Sequence, residues 1–340
     1  MNKEKSIYYW LLSGCLLIAL MIIIGGITRL TQSGLSMVEW KPIVGAIPPL
    51  NEEEWIKEFN LYKKSPEFKV YNNHFTLKEF KAIFFWEYLH RLVGRIIGLV
   101  FIIPCLIFWL KGRFSKELKK RVILILIGGI CQGVLGWLMV KSGLVKNPHV
   151  SHYRLAAHLM AALILIIYIY KTALWVKHGE KKRVIPLLNE RLINGTLMLL
   201  ILQIIYGAFV AGLKAGKMYN TFPKMGDSLF PSDLTYSFQE KGVLALFESP
   251  SVVQLIHRIL GISCFFLATY ILIKSKEYHF SIRSKTRLFG SLIFIQVAIG
   301  ITTLILSVPV NFGVLHQIVA LIILVVGFNI KFASKYDWGR

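Results

Sequence analysis

Long apolar runs alternate with short charged segments along most of this chain. A helix that crosses the roughly 30 Å hydrocarbon core of a bilayer needs about 20 consecutive apolar residues. Eight such runs occur, at 8–28, 84–110, 122–140, 154–175, 192–212, 252–273, 287–308 and 312–332. They predict an all-α integral membrane protein with eight transmembrane helices and no large soluble domain. The second run is over-long, so we expect it to tilt or to extend beyond the membrane.

The composition agrees with a membrane protein. Of the 340 residues, 55% are hydrophobic and only 17% are charged, whereas about a quarter are charged in soluble proteins. The formal net charge of +22 is expected from Lys and Arg gathered in cytoplasmic loops, so it indicates no nucleic-acid partner. All four cysteines lie inside apolar runs, so no external disulfide framework is expected.

Loop charge predicts the orientation of the chain in the membrane. Three loops are rich in Lys and Arg: 111–121, 176–191 and 274–287. By the positive-inside rule, these loops and both termini face the cytoplasm, whereas the long segments 29–83 and 213–251 face outward. The N-terminal apolar run lacks a small-residue cleavage site and an Arg-rich transit peptide. We therefore expect a retained first helix in a bacterial inner membrane.

The second half of the chain repeats motifs of the first half. The matched segments are 90–94 (HRLVG) with 257–261 (HRILG), 132–136 (QGVLG) with 296–300 (QVAIG), and, more loosely, the stretches at Gly26 and Gly207. His158 likewise has His316 as its counterpart. Each half contains four predicted helices, an even number, so both halves enter the membrane from the same side as parallel repeats. We therefore expect two four-helix bundles, at 1–185 and 186–340.

Four histidines lie inside predicted helices, each near the outer end of its helix: His90, His158, His257 and His316. Ionisable residues inside a membrane are costly and mark functional sites by default. A pair of imidazoles on facing helices suits a metal with two axial nitrogen ligands, and an iron porphyrin can lie between helices. A zinc site would need a tetrahedral cluster. The alternative interpretation is that each histidine hydrogen-bonds between helices.

Two further histidines, His149 and His152, precede the fourth predicted helix. We interpret them as loop residues, because the chain passes from an extended segment into a helix between them. The alternative is a small metal site that they form together with His158.

Charged and polar residues accompany the histidines in both halves. Arg91 and Arg258 directly follow a histidine, and each can reach outward to a carboxylate such as a haem propionate, or to lipid headgroups. Glu87 lies one turn before His90, where it can transfer protons or simply hydrogen-bond at the membrane surface. The counterpart of Glu87 is Gln254, which cannot titrate. We therefore expect a reactive first half and an electron-transfer or structural second half.

Over nearly its whole length the chain resembles the haem A synthases, in particular their alphaproteobacterial and mitochondrial branch. The motifs that carry this resemblance are 25–37 (GGITRLTQSGLSM), 40–42 (WKP), 48–50 (PPL), 80–81 (FK), 86–91 (WEYLHR), 151–159 (SHYRLAAHL), 221–225 (TFPKM), 253–258 (VQLIHR) and 316–317 (HQ). The Bacillus-like branch also carries a cysteine pair in its first outer loop, and segment 29–83 has no cysteine.

The resemblance implies an enzyme that oxidises the C8 methyl group of haem O to the formyl group of haem A, for terminal oxidase assembly. It implies that His90 and His158 bind the substrate haem O, that His257 and His316 hold a haem b cofactor, and that Glu87 is catalytic. It also implies haem O synthase and cytochrome oxidase assembly proteins as partners, and it leaves the electron donor open.

Two other classes of protein compete with this interpretation. A dihaem b-type electron carrier or quinone oxidoreductase also needs four histidines, but often stacks them at two depths on shared helices. A parallel-repeat transporter needs polar groups at the middle of the bilayer. Here the four histidines lie at one depth on separate helices, and the helices are polar only near their outer ends. Both observations favour the enzyme.

Overall fold

The computed structural model describes residues 3–39, 44–144, 148–179 and 189–336. The α-helices are α1 (Lys3–Leu30), α2 (Glu52–Lys63), α3 (Leu77–Leu110), α4 (Lys116–Gly143), α5 (His152–His178), α6 (Glu190–Gly212), α7 (Leu234–Lys241), α8 (Ala245–Glu248), α9 (Pro250–Lys274), α10 (Phe280–Ile305) and α11 (Val310–Lys335). Short 3-10 turns lie at Val44–Ala46, Ala215–Lys217, Gly242–Leu244 and Ser275–Glu277, and a π-helical turn lies at Phe68–Asn72. Within these ranges the chain is nearly all helical.

Eight helices are long and apolar enough to cross a bilayer: α1, α3, α4, α5, α6, α9, α10 and α11. The prediction of an all-α membrane protein with eight spanning helices is therefore confirmed. Seven of these helices enclose the predicted apolar run and extend beyond it at one or both ends, whereas α10 ends at Ile305, before its run ends at residue 308. Ser307 and Val308 adopt left-handed backbone conformations, with φ of 59° and 64°, which end the helix. Pro309 then caps the start of α11.

Helix α3 has 34 residues, so it is about 50 Å long at 1.5 Å per residue. Its first turns pack against α2 through stacked rings. The Phe80 ring centroid lies 5.1 Å from that of Phe59 and 5.2 Å from that of Tyr62. Both Phe80 and Tyr62 are fully buried, and burial raises the pKa of the Tyr62 hydroxyl. This aromatic contact anchors the segment that follows α1 onto the helix that carries His90.

The chain divides into two compact units, Met1–Ala173 and Leu174–Arg340. Each unit contains four of the long helices, and the division falls near the C-terminal end of α5. The predicted boundary between residues 185 and 186 lies outside the described residues, as do Trp40, Lys41 and Pro42 of the family motif.

The four helices of the second unit form a bundle. Helix α6 packs against α9 and α11, and α10 packs against the same two helices. In the first unit α1 packs along α3. The Cys15 thiol of α1 donates to the Ile166 carbonyl of α5 at 3.7 Å, and Gly128 of α4 lies against Leu165 of α5. In each unit, therefore, other spanning helices pack against the helices that carry the histidines.

Candidate functional site

His90 of α3 and His158 of α5 both lie in the first unit. The ring of His90 lies against Gly25 of α1, and the ring of His158 lies against Gly136 of α4. Each has a buried Nδ1 atom without a hydrogen-bond partner in the described part of the chain. Neither histidine therefore connects two helices by hydrogen bonds through both of its ring nitrogens.

The second unit brings together His257 of α9 and His316 of α11. Their ring centroids are 6.5 Å apart and the ring planes form an angle of 75°. Both Nδ1 atoms are again buried and lack a partner among the residues that the structure describes. Each unit therefore contains two of these histidines on different helices, and in the second unit their rings lie close together.

The spacing of His257 and His316 fits a metal with two axial imidazole ligands. With metal–nitrogen distances of about 2 Å, two such rings on opposite sides of one ion have centroids about 6 Å apart. Imidazole nitrogens are donors of the type that haem iron takes. In the described ranges, no group of three or more His, Cys, Asp or Glu side chains is arranged so that it could hold a metal ion. The donor set therefore fits an iron porphyrin better than a tetrahedral zinc site.

Glutamine side chains lie next to both histidines of the second unit. The Nε2 atom of Gln203 on α6 is 3.4 Å from Nε2 of His257. Gln296 on α10 donates to the His316 carbonyl at 2.9 Å, and its Nε2 lies 3.4 Å from Nε2 of His316. Sequence reasoning did not assign these glutamines to the site. For Gln296 a signal existed, because it begins one of the repeated motifs.

The first unit differs from the second at the position of Gln203. Gln203 approaches Gly261 on α9, and Met21 of α1 approaches Gly94 on α3 in the same way. Gly94 and Gly261 are equivalent in the repeat. Met21 therefore occupies the place that an amide occupies in the second unit, which makes the surroundings of His90 less polar than those of His257.

Glu87 is buried, with 3% of its surface exposed. Its Oε2 atom accepts hydrogen bonds from the Ser36 hydroxyl at 2.7 Å and from the Met37 backbone N–H at 2.8 Å. Its Oε1 atom accepts from the Arg91 guanidinium at 2.6 Å. Hydrogen bonds that involve an ionised group are about twice as strong as neutral ones. The carboxylate is thus fixed in one orientation, one turn from His90.

Each arginine of the repeated motif hydrogen-bonds to the segment that follows the preceding spanning helix. Arg91 donates to the Met37 carbonyl at 2.9 Å and to the Glu39 carbonyl at 3.2 Å. Arg258 donates to three carbonyls of the 219–224 segment: Tyr219 at 2.8 Å, Thr221 at 2.9 Å and Lys224 at 3.0 Å. The motifs at 25–37 and 221–225 therefore overlap the segments that these two guanidinium groups bind.

One N–H group of Arg258 takes no part in these hydrogen bonds. Its buried Nε–H group has no hydrogen-bond partner among the described residues. A buried cationic donor is a good partner for an anion. The predicted propionate contact at Arg258 stays a prediction, and the structure provides a donor for it.

Gln254 occupies the position of Glu87 in the second unit. It is 2% exposed, its Nε2 donates to the Tyr219 carbonyl at 3.2 Å, and its Oε1 lies 3.5 Å from the Arg258 guanidinium. In both units, therefore, the arginine contacts an acceptor side chain one helical turn earlier on the same helix. The acceptor is a charged carboxylate in the first unit and a neutral amide in the second.

His149 and His152 do not join the histidine pair. His149 lies in the segment before α5, where its Nε2 is 2.7 Å from the Tyr71 hydroxyl. His152 is the first residue of α5, and its ring centroid is 4.0 Å from that of Tyr153. The prediction that both are loop residues is therefore correct for His149 and wrong for His152, because the helix already begins at His152.

The sequence was compared with known families and proteins. It matches the COX15-CtaA family of cytochrome oxidase assembly proteins over residues 8–328. It is 45% identical over 329 residues to a protein named "Heme A synthase" from Flavobacterium psychrophilum, with 95% of this chain and 96% of the relative covered. Similar proteins of the same name occur in Rhizobium leguminosarum (43% over 331 residues; 95% and 88% covered) and in the Wolbachia of Brugia malayi (41% over 324 residues; 95% of each covered). The similarity therefore extends across both units.

Proposed function

Since the chain belongs to the family of cytochrome oxidase assembly proteins, we propose that it is a haem A synthase, an oxidoreductase that converts haem O to haem A. Relatives of 41–45% identity over nearly the full length carry that name. The structural observation that carries the proposal is the difference between the two histidine pairs. A buried carboxylate, Glu87, lies near one pair, and an amide, Gln254, lies near the other.

We assign the substrate to the first unit, with His90 and His158 as ligands of the haem O iron. Conversion of the C8 methyl group to a formyl group is a four-electron oxidation. Written with water as the source of the oxygen atom, it passes four electrons to an external acceptor and releases four protons, so the reaction needs a proton acceptor. Glu87 is that acceptor in this proposal. Ser36 and Met37 hold its Oε2 atom by two hydrogen bonds, which keeps the carboxylate one turn from the iron ligand.

We assign a haem b cofactor to the second unit, where His257 and His316 would hold its iron. When bound, haem b supplies one-electron transfer. The 6.5 Å spacing of the two rings supports this assignment. The neutral Gln254 cannot exchange protons with a bound group, so its presence favours electron transfer over acid–base chemistry in this unit.

The proposal includes the cellular setting. The chain lies in the bacterial inner membrane with both termini in the cytoplasm, so the histidine pairs lie toward the periplasmic surface. The class of enzyme that makes haem O supplies the substrate, and the assembly proteins of cytochrome oxidase take up the product. The loop charges support this orientation.

Pigment extraction tests the proposed activity. The full chain is expressed with a haem O source in a host that lacks haem A, and the extracted haems are separated and identified by mass. We expect haem A to appear, and to be absent when a His90→Ala, His158→Ala double variant replaces the wild type. Bound haem b without any haem A from the wild type would reject the proposal and favour a dihaem electron carrier.

A further inference from the structure

Each of the four histidine rings lies against a glycine of the spanning helix that precedes it in the chain. The four contacts pair Gly25 with His90, Gly136 with His158, Gly207 with His257, and Gly300 with His316. We propose that these glycines are positioning residues, which set the place of the imidazole ring that binds iron. The inference rests on the proposed function, because it takes the histidines as iron ligands.

The two closest contacts leave no room for a side chain. A Cβ atom on Gly300 would lie 2.8 Å from Cε1 of His316, and one on Gly25 would lie 3.0 Å from Cε1 of His90. Non-bonded carbon atoms rest at about 3.5–4.0 Å. Alanine at either position would therefore push the imidazole ring away from its present place by several tenths of an ångström.

The other two contacts are slightly wider. A Cβ atom on Gly207 would lie 3.2 Å from Cε1 of His257, and one on Gly136 would lie 3.3 Å from Cε1 of His158. In every pair the closest atom is the same ring carbon, so the four rings present the same edge to a glycine. The distances also predict a ranking, in which substitution at Gly300 disturbs its ring most and substitution at Gly136 disturbs its ring least.

A histidine ring responds to such a contact differently from an aliphatic side chain. A Cβ atom on Gly290, in the same helix as Gly300, would lie 2.6 Å from Leu272. Leucine can change its rotamer to relieve the contact, at a cost in packing. A ligating imidazole must keep its metal–nitrogen distance within about 0.2 Å. A shift that a leucine tolerates therefore moves a histidine out of ligand geometry.

Helix propensity separates this role from a purely structural one. Glycine in a helix interior is less favourable than alanine, so Gly→Ala should not weaken α6 or α10 through the backbone. Gly195 of α6 has no atom within 4 Å of a Cβ at its position, so it provides an open control on the same helix as Gly207. Gly290 provides a crowded control on the same helix as Gly300.

The experiment measures haem and fold in the same preparations of the full-length protein. Wild type, Gly300→Ala, Gly207→Ala, Gly195→Ala and Gly290→Ala are purified in detergent. The haem-to-protein ratio, the low-spin absorption spectrum, haem affinity by titration and the thermal midpoint are recorded. We expect Gly300→Ala to lower haem affinity by about tenfold or more, as outer-sphere substitutions at metal sites do. Gly207→Ala should lower it less, and both should keep a wild-type thermal midpoint after haem removal.

The two control variants are expected to behave differently from Gly300→Ala. Gly195→Ala should match the wild type in every measurement, and Gly290→Ala should change the thermal midpoint while its folded fraction keeps the wild-type spectrum. A wild-type haem affinity and spectrum in Gly300→Ala would overturn the inference, and so would an equal loss of haem in Gly290→Ala. A wild-type protein without b-type absorption would instead reject the proposed function, so the two failures are distinguishable.

Discussion

The guanidinium of Arg91 donates a 2.6 Å hydrogen bond to the carboxylate of Glu87, one helical turn earlier on α3. Both side chains contact the segment that follows α1, and Arg91 donates to two backbone carbonyls of that segment. Removal of one partner from a buried ion pair is strongly destabilising, because it leaves the other charge unpaired. Substitutions here must therefore preserve hydrogen bonding if they are to report on chemistry rather than on folding.

Glu87→Gln is expected to keep the fold and the bound haem while haem A formation falls by about 100-fold or more, the contribution of a general acid–base group. Glutamine has the size of glutamate, and Gln254 shows that the equivalent position accommodates an amide next to an arginine. Extracted haems and the absorption spectrum are measured on one preparation. Glu53→Gln on the exposed face of α2 is the control, and loss of haem together with activity would indicate a structural role for Glu87.

Arg91→Lys is expected to destabilise the outer segment by about 1–3 kcal/mol, the cost of lost hydrogen bonds to charged groups. A lysine ammonium is a compact charge, and it cannot reproduce the fork that reaches Met37, Glu39 and Glu87 at once. Thermal unfolding and limited proteolysis of the segment at 31–39 measure the effect. Wild-type stability combined with weaker haem binding would show that Arg91 serves a propionate instead of the segment.

His257→Ala is expected to remove most of the b-type absorbance from the purified protein, because a six-coordinate haem loses one axial ligand. His74→Ala removes an exposed histidine of the outer segment and should leave the spectrum unchanged. A full wild-type spectrum in His257→Ala would show that the cofactor is bound elsewhere.

Labelling of introduced cysteines tests the predicted orientation. In a variant whose four native cysteines are replaced by serine, single cysteines are placed at the exposed positions Asn60, Glu240, Lys116 and Ser284. An impermeant thiol reagent added to intact spheroplasts should label positions 60 and 240 and spare 116 and 284, because the basic loops face the cytoplasm. The opposite pattern would place the histidine pairs toward the cytoplasmic surface.

The spanning helices were predictable from the sequence because each requires a long apolar run, and the runs were visible. The ends of these helices were less predictable. Hydropathy continues to Val308, whereas the backbone turns out of the helix at Ser307, and a hydropathy pattern carries no information on φ. The long α3 was indicated by its over-long run, but its contact with the aromatic side chains of α2 depends on tertiary packing.

The candidate site was predictable to a similar degree. The histidines and Glu87 could be found because ionisable residues are rare within apolar runs. The glycines that lie against the rings could not be assigned, because which helix face meets which ring depends on helix rotation. The bonds from Arg258 to backbone carbonyls were equally hidden, since every residue carries a carbonyl and no sequence pattern distinguishes the ones that a side chain reaches.

The matched positions of Glu87 and Gln254 have a consequence at the level of the gene. Glutamate and glutamine codons differ only in their first base, so a single nucleotide change converts one side chain into the other. Both side chains are buried one turn before an arginine, and both accept a hydrogen bond from it. One point mutation is therefore enough to convert a repeat that carries a titratable group at this position into a repeat that carries none.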